Sequence, residues 1–346
     1  RGSAGVRYPC KRMSELRWHP LLQEWVITAT HRQERTFHPP SEYCPLCPTR
    51  PGGYPTEVPE PHYEIVVFEN RFPSLQREPP APAVAPTPFS PVLPARGVCE
   101  VVLYTPDHHA TLAQLPLERI EQLIYVWRDR YAELGARPEV EYVLIFENKG
   151  REIGVTLSHP HGQIYAYPFL PPQLARERDA MRRHYEATSG NLLLEIVQHE
   201  LQDGRRVVQR LDGWVAFVPF FARYPYEIYL VPEAPRRDLL DLTEQEITGL
   251  ARILKDTLQR YDRLWGFSLP YIMVQHPRPT DGAVYPYWQF HIEFYPPHRT
   301  RDKLKYLAGS ESGAGVFIND TLPEATAHAL RAAGSTAPEP SHPLQP

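Results

Sequence analysis

One supersecondary unit occurs twice in this chain, and that repetition constrains the fold more than any single motif. The first copy reads as strands at 64–70 and 101–106, a helix at 116–134, a strand at 141–147 and a strand through His159-Pro160-His161. The second reads as strands at 214–219 and 227–232, a helix at 243–264, and strands at 271–275 and 288–295. Thr243-Glu244-Gln245-Glu246 has the capping-box pattern that opens a helix. The joints correspond too, Tyr104-Thr105-Pro106-Asp107 against Leu230-Val231-Pro232-Glu233. This alignment sets His159-Pro160-His161 opposite His291-Ile292-Glu293. The expectation is an α+β chain of two fused repeats, each a mainly antiparallel sheet packed with a long helix.

Composition narrows the function. The chain has 346 residues, 42% of them apolar and 23% charged, which fits a globular protein with a sizeable core. A net charge of -4 argues against a nucleic-acid partner bound by bulk electrostatics. No apolar run approaches the ~18 residues of a membrane span. Lys11, Arg12, Glu15 and Arg17 interrupt any signal-peptide core. The four cysteines are too few for a disulfide framework and point to the reducing cytoplasm. The 40 prolines concentrate at 39–61, 79–94 and 338–346, and the second stretch reads as a long loop. The division that follows is a disordered start at 1–16, repeats at 17–170 and 171–330, and a disordered Pro-rich tail at 331–346.

The chemistry concentrates in Ser158-His159-Pro160-His161-Gly162-Gln163. Side chains two apart on a strand share a face, so His159, His161 and Gln163 are expected on one side, with Pro160, Gly162 and Ile164 on the other. A neutral imidazole is a good nucleophile toward phosphorus. Gly162 beside it would let a phosphate approach the backbone. Cys44-Pro45-Leu46-Cys47 has the spacing of half a zinc site, or of two free thiols in a turn. Cys99 reads as a small core residue and Cys10 as incidental. The helix at 171–186 reads as a mostly solvated charged face, and Gly313-Ala314-Gly315 as a turn rather than a phosphate loop.

Several stretches, in order, resemble the galactose-1-phosphate uridylyltransferases, the transferase branch of the histidine triad superfamily. They are His31-Arg32, Phe68-Glu69-Asn70-Arg71-Phe72, Phe146-Glu147-Asn148-Lys149-Gly150, His159-Pro160-His161-Gly162-Gln163, His291-x-Glu293-Phe294-Tyr295-Pro296-Pro297 and Lys305-Tyr306-Leu307-Ala308-Gly309. The resemblance implies two fused histidine-triad-like repeats and a homodimer. The reaction it implies turns UDP-glucose and galactose-1-phosphate into glucose-1-phosphate and UDP-galactose, in galactose metabolism. It makes His161 the nucleophile and has Gln163 hold a phosphoryl oxygen of a covalent uridylyl intermediate. It sets Arg32, Arg35, Asn148, Gly154 and Thr156 at the phosphates, Asn70 and Phe72 at the uridine, and Lys305 near the sugar phosphate. It implies zinc on Cys44, Cys47, His108 and His159, with His109 a substitute for His108. It implies a second metal, iron or zinc, on Glu177, His276, His291 and Glu293, where some members have histidine in place of Glu293.

Two features of this set are chemically telling. The nitrogen of His161 that does not attack should be tied to a backbone carbonyl, which fixes the tautomer. Hydrolytic relatives have histidine at the third triad position, whereas Gln163 donates a hydrogen bond but cannot act as an acid. A sugar phosphate leaves as a stable anion, so transfer needs little acid. The neighbouring readings are an ADP-sugar or dinucleoside-polyphosphate phosphorylase, and a zinc-stabilised nucleotide-binding protein without turnover.

Overall fold

The computed structural model describes residues 13–34 and 39–334. Strands β1 (Ser14–His19), β2 (Glu24–Ala29), β3 (Val66–Glu69), β4 (Val92–Pro94) and β5 (Val98–Leu103) precede helix α1 (Leu117–Gly135). Strands β6 (Tyr142–Lys149) and β7 (His161–Tyr167) follow, then helices α2 (Pro172–Thr188) and α3 (Leu192–Asp203). The second half continues with β8 (Val207–Leu211), β9 (Trp214–Phe217), β10 (Ile228–Pro232), α4 (Glu244–Leu264), β11 (Tyr271–His276) and β12 (His291–Tyr295). A hairpin of β13 (His298–Thr300) and β14 (Lys303–Leu304) leads to the short α5 (Gly309–Ala314) and to α6 (Pro323–Gly334).

The two repeats share one nine-stranded sheet of order β3-β5-β7-β6-β11-β12-β10-β9-β8, antiparallel throughout. From edge to centre the first half reads β3-β5-β7-β6, and the second half mirrors it as β9-β10-β12-β11 with β8 added outside. The halves meet at β6 and β11, which pair antiparallel, Phe146 opposite Val274. Two like strands joined antiparallel are related by an approximate twofold axis.

The long helices form where the sequence signals them. The box at Thr243 closes on both sides: its Oγ1 accepts from Glu246 N at 3.3 Å, and its N–H donates to Glu246 Oε2 at 2.8 Å. Helix α1 buries Ile120, Leu123, Ile124 and Trp127, and α4 buries Ile247, Leu250, Leu254 and Leu258. Both pack on the same sheet face, against Val143, Ile145, Ile164, Ala216 and Met273, in the largest core of the molecule. Burying a side chain of this kind stabilises by about 1.5–3 kcal/mol relative to leaving it in water.

The other face is covered piecemeal. Helices α2 and α3 cover the second half through Leu174, Met181, Leu193 and Val197. The small sheet β2-β1-β4 packs Leu16, Trp25 and Ile27 near Cys99 and Tyr165. The loop carrying Cys44 and Leu46 covers Val101 and Leu103. Between these covers the sheet is open, and that gap is where the site lies.

Several expectations shift. Strand β7 begins at His161, one residue after Pro160, which has no N–H to give a ladder. His159 is therefore off the strand and does not share the face of His161 and Gln163. Strand β12 begins at His291, not at 288. The repeat alignment is off by two residues. His161 and His291 each open their strands, and each pairs Nδ1 with the carbonyl two residues back, His159 O at 2.7 Å and Gln289 O at 2.9 Å. His161 thus corresponds to His291, and Gln163 to Glu293. At the start of the chain, β1 opens at Ser14, inside the stretch expected to be disordered, because it pairs with both β2 and β4. The final helix runs to Gly334, past the 331 expected for the start of the tail. Positions 1–12, with Cys10 among them, and 335–346 lie outside the described residues.

Candidate active site and metal-ligand clusters

Alternation along β7 puts His161, Gln163 and Tyr165 on the open face and Ile164 and Ala166 in the helix-side core. A cleft of about 400 Å³ lies over the open face, a size suited to a small ligand. Among the residues expected to touch substrate, Arg32, Asn70, Phe72, Asn148, Gly154, Thr156, His161 and Gln163 all line it. Asn148 comes from the end of β6, opposite the start of β7, and Asn70 follows β3. Asn70 Oδ1 accepts from Phe72 N at 2.8 Å, which fixes the turn carrying both. Arg32 donates to Phe72 O at 3.2 Å and to the Tyr165 hydroxyl at 3.3 Å. Tyr165 in turn donates to Gln163 Oε1 at 3.3 Å. A second cleft of about 490 Å³, lined by His108, Lys149 and Phe267, meets the first at His161 and Asn148.

The bond from His161 Nδ1 to His159 O puts the ring proton on Nδ1, because a carbonyl can only accept. In the neutral ring the lone pair is then on Nε2. Gly162 does not serve phosphate approach as expected. The hydrogen standing where a Cβ would be faces the helix side, where a Cβ would run into the Tyr104 hydroxyl. Gly154, by contrast, adopts φ +80° on the cleft wall with nothing within 4 Å of a would-be Cβ, so its backbone is open to the cleft.

Behind β7, Tyr104 donates to Glu147 Oε2 at 3.4 Å. Glu147 is buried on the helix side of β6, and burial pushes its carboxyl up to about 7, opposed by Lys149 and by hydrogen bonds from Tyr271 and Tyr104.

Two clusters of ligating groups stand at the ends of this region. In the first, Cys44, Cys47, His108 and His159 offer ligand atoms all within 4.8 Å of one another. Cys47 Sγ lies 3.4 Å from His108 Nδ1 and 3.5 Å from His159 Nδ1. His159 Nε2 donates to Thr105 O at 2.9 Å, which turns its Nδ1 lone pair toward the thiols. Burial lowers the His159 pKa to about 4, so the ring is neutral, as a ligand must be. Burial, and Cys44 beside it, push the Cys47 thiol up to about 12. His108, rather than His109, reaches the thiols.

In the second cluster Glu177 of α2 meets His276 of β11 and His291 and Glu293 of β12, again within 4.8 Å. His276 Nδ1 is 2.8 Å from Glu177 Oε2, and His291 Nε2 is 3.2 Å from Glu293 Oε1. Burial alone would lower the His276 pKa, but the Glu177 and Glu293 carboxylates push it up to about 9. Burial likewise works against the Glu293 carboxylate, which His276, His291 and Arg223 hold well below the ordinary carboxylate range.

Other expectations fare differently. Cys99 is fully buried, as a core residue. Lys305 does not reach the cleft of its own chain: it is buried against Glu311 at 3.1 Å and the Ile318 carbonyl. Arg35 lies outside the described residues. Residues 313–315 close α5, with Gly315 at φ +71° as its left-handed cap. Sequence reasoning missed Tyr165, Glu147 and Arg223. Tyr165 was legible in principle, two residues past Gln163 and so on the same face.

An imidazole with a fixed tautomer, facing a polar cleft beside a glutamine, has the chemistry that suits a phosphoryl-transfer enzyme. Comparison with known proteins makes the family specific. The family model for the galactose-1-phosphate uridyl transferase N-terminal domain matches residues 8–171, and that for the C-terminal domain matches 178–336. The galactose-1-phosphate uridylyltransferase of Thermotoga maritima is 41% identical over 325 residues, covering 92% of this chain and 98% of that protein. That of Streptomyces lividans is 38% identical, covering 92% and 86%. A solved uridylyltransferase structure superposes with a TM-score of 0.82 at 34% identity, covering 92% of this chain and 98% of the other. The chain belongs to the galactose-1-phosphate uridylyltransferase family and is a nucleotidyltransferase.

Proposed function

We propose that the chain moves a uridylyl group between hexose-1-phosphates by double displacement at His161. In the first half, Nε2 of neutral His161 attacks the α-phosphorus of UDP-glucose. An N–P bond forms, the bond from the α-phosphorus to the bridging oxygen breaks, and glucose-1-phosphate leaves with the electron pair. The proton on Nδ1 stays at the His159 carbonyl, which supports the positive charge of the uridylylated ring. In the second half a phosphate oxygen of galactose-1-phosphate attacks the same phosphorus and expels the imidazole. Gln163 Nε2, and amides near Gly154, donate to the nonbridging oxygens as charge builds. The observation that carries this reading is the 2.7 Å bond between His161 Nδ1 and His159 O, on a ring that faces the cleft.

The first cluster fits zinc. A tetrahedral ion with its usual bond lengths holds neighbouring sulfur and nitrogen ligands about 3.5 Å apart. The measured separations are 3.4 and 3.5 Å. Four protein ligands leave no open position, so this metal would brace the loop against the start of β7. The second cluster, two imidazoles and two carboxylates, suits a borderline divalent ion such as iron or zinc. We further infer a cytoplasmic homodimer, in keeping with Cys44, Cys47 and Cys99 forming no disulfide. The exposed Tyr306, Leu307, Ile318 and Leu322 form apolar surface that a second copy could cover. No helix among the described residues is long and apolar enough to cross a membrane.

The test is donor choice. The chain should convert UDP-glucose and galactose-1-phosphate to UDP-galactose and leave ADP-glucose nearly untouched. Preference for ADP-glucose with inorganic phosphate as acceptor would make it a phosphorylase. Binding of UDP-glucose without turnover would make it a nucleotide-binding protein.

A further inference from the structure

The Tyr165 hydroxyl links two groups of the cleft, and the chemistry of its neighbours fixes the direction of the link. A guanidinium donates hydrogen bonds and never accepts them, so at 3.3 Å Arg32 is the donor and the Tyr165 oxygen the acceptor. The single proton of that hydroxyl goes to Gln163 Oε1, also at 3.3 Å. The carboxamide of Gln163 is planar and can take two flipped orientations, which differ little in packing. With Oε1 turned to Tyr165, Nε2 points to the opposite side. On this strand Tyr165 lies two residues after Gln163 and His161 two residues before it, all on one face. The NH2 group is therefore turned toward the imidazole.

We propose that Tyr165 is a positioning residue that holds Gln163 with its NH2 toward the phosphoryl oxygens at His161, in a relay that begins at Arg32. The proposal rests on uridylyl transfer at His161. In the reversed orientation Gln163 would present a carbonyl oxygen to an anion, and the two would repel. The Tyr165 hydroxyl disfavours that reversal, which would take from its proton the Gln163 Oε1 acceptor it now has. Its ring has a separate task, packing edge-on to Phe146 at 5.0 Å in a largely buried position. The two tasks can therefore be separated by removing one oxygen.

The experiment compares the parent, Tyr165→Phe, Gln163→Ala and the double variant in single-turnover formation of the uridylyl adduct from UDP-glucose. Tyr165→Phe keeps the ring and should keep the melting temperature. It should form the adduct roughly five- to thirty-fold more slowly, the loss of one oriented hydrogen bond. The KM for UDP-glucose should stay within about twofold, because a misoriented amide harms the transition state more than the ground state. In the Gln163→Ala background, Tyr165→Phe should cost nothing further, since there is no amide left to orient. A parent-like rate in Tyr165→Phe, or two losses that multiply in the double variant, would overturn the proposal while leaving transfer at His161 intact. A parent that forms no adduct would instead remove the transfer reading, and this proposal with it.

Discussion

Glu147 offers a quantitative test of how the core beneath the catalytic strand is built. Its carboxyl is buried at 3% exposure between Tyr104 of the first half and Tyr271 of β11, with Lys149 on its own strand. Lys149 is itself paired with Asp262 of α4 at 3.2 Å. Burial raises the carboxyl from an ordinary 4.5 to about 7. The folded protein thus holds a proton that the unfolded chain releases near pH 4.5. Stability is fully present below that pH and falls as pH rises toward and through 7. At 1.36 kcal/mol per pH unit over the gap, the loss approaches about 3 kcal/mol at pH 8. Glu147→Gln keeps an acceptor for the Tyr104 hydroxyl and cannot ionise. Urea unfolding of parent and variant, followed from about pH 5.5 to 8.5, should show the parent losing stability relative to the variant as pH rises. Stability curves that stay parallel across this range would refute the reasoning, because Glu147 would then carry no shifted proton.

Four further outcomes follow from the site. Cys44→Ser should remove the zinc proposed for the first cluster, read by elemental analysis, and lower the melting temperature, and zinc undiminished from a zinc-bearing parent would reject Cys44 as a ligand. Glu293→Ala should reduce the metal proposed for the second cluster, or stability, with only a modest loss of rate; lost chemistry with that metal retained would place Glu293 in the reaction. Gln163→Ala should slow adduct formation by roughly one to three orders of magnitude, the cost of one charge-stabilising donor. Gln163→His should raise the fraction of UDP-glucose lost to UMP, and an unchanged ratio of transfer to hydrolysis would free Gln163 from that role.

Much of this arrangement is legible in the amino-acid sequence. The helices α1 and α4 announce themselves because an apolar stripe at helical spacing and a Thr243 capping box are local signals. The strands of the repeated unit, β3, β5, β6 and β7 in the first half and β9 to β12 in the second, are found from local pattern too, within a few residues, whereas β1, β2, β8 and the β13-β14 hairpin go unread and β4 falls in the stretch read as a loop. The repeat alignment slips by two because side chains alternate with period two along a strand. Such a slip leaves every residue on its own face, so pattern cannot detect it, whereas the paired Nδ1 bonds of His161 and His291 can. That one sheet results, rather than two, depends on β6 pairing with β11 across more than a hundred residues, which no local pattern encodes. Gly162 misleads in a similar way: it looks like a phosphate-facing glycine, but the neighbour it makes room for, Tyr104, is on another strand's end. Lys305 matches its motif yet lies away from its own chain's cleft, because motif order says nothing about distance in space.

The central claim is a covalent bond between His161 and a uridylyl group, and mass spectrometry of the intact protein tests it most directly. The chain is incubated with UDP-glucose and no acceptor, then quenched and digested for peptide mapping. The account predicts one uridylyl unit per active chain on the peptide containing His161, discharged by galactose-1-phosphate and absent in His161→Ala. Brisk formation of UDP-galactose with no adduct on that peptide, or with full activity in His161→Ala, would contradict it.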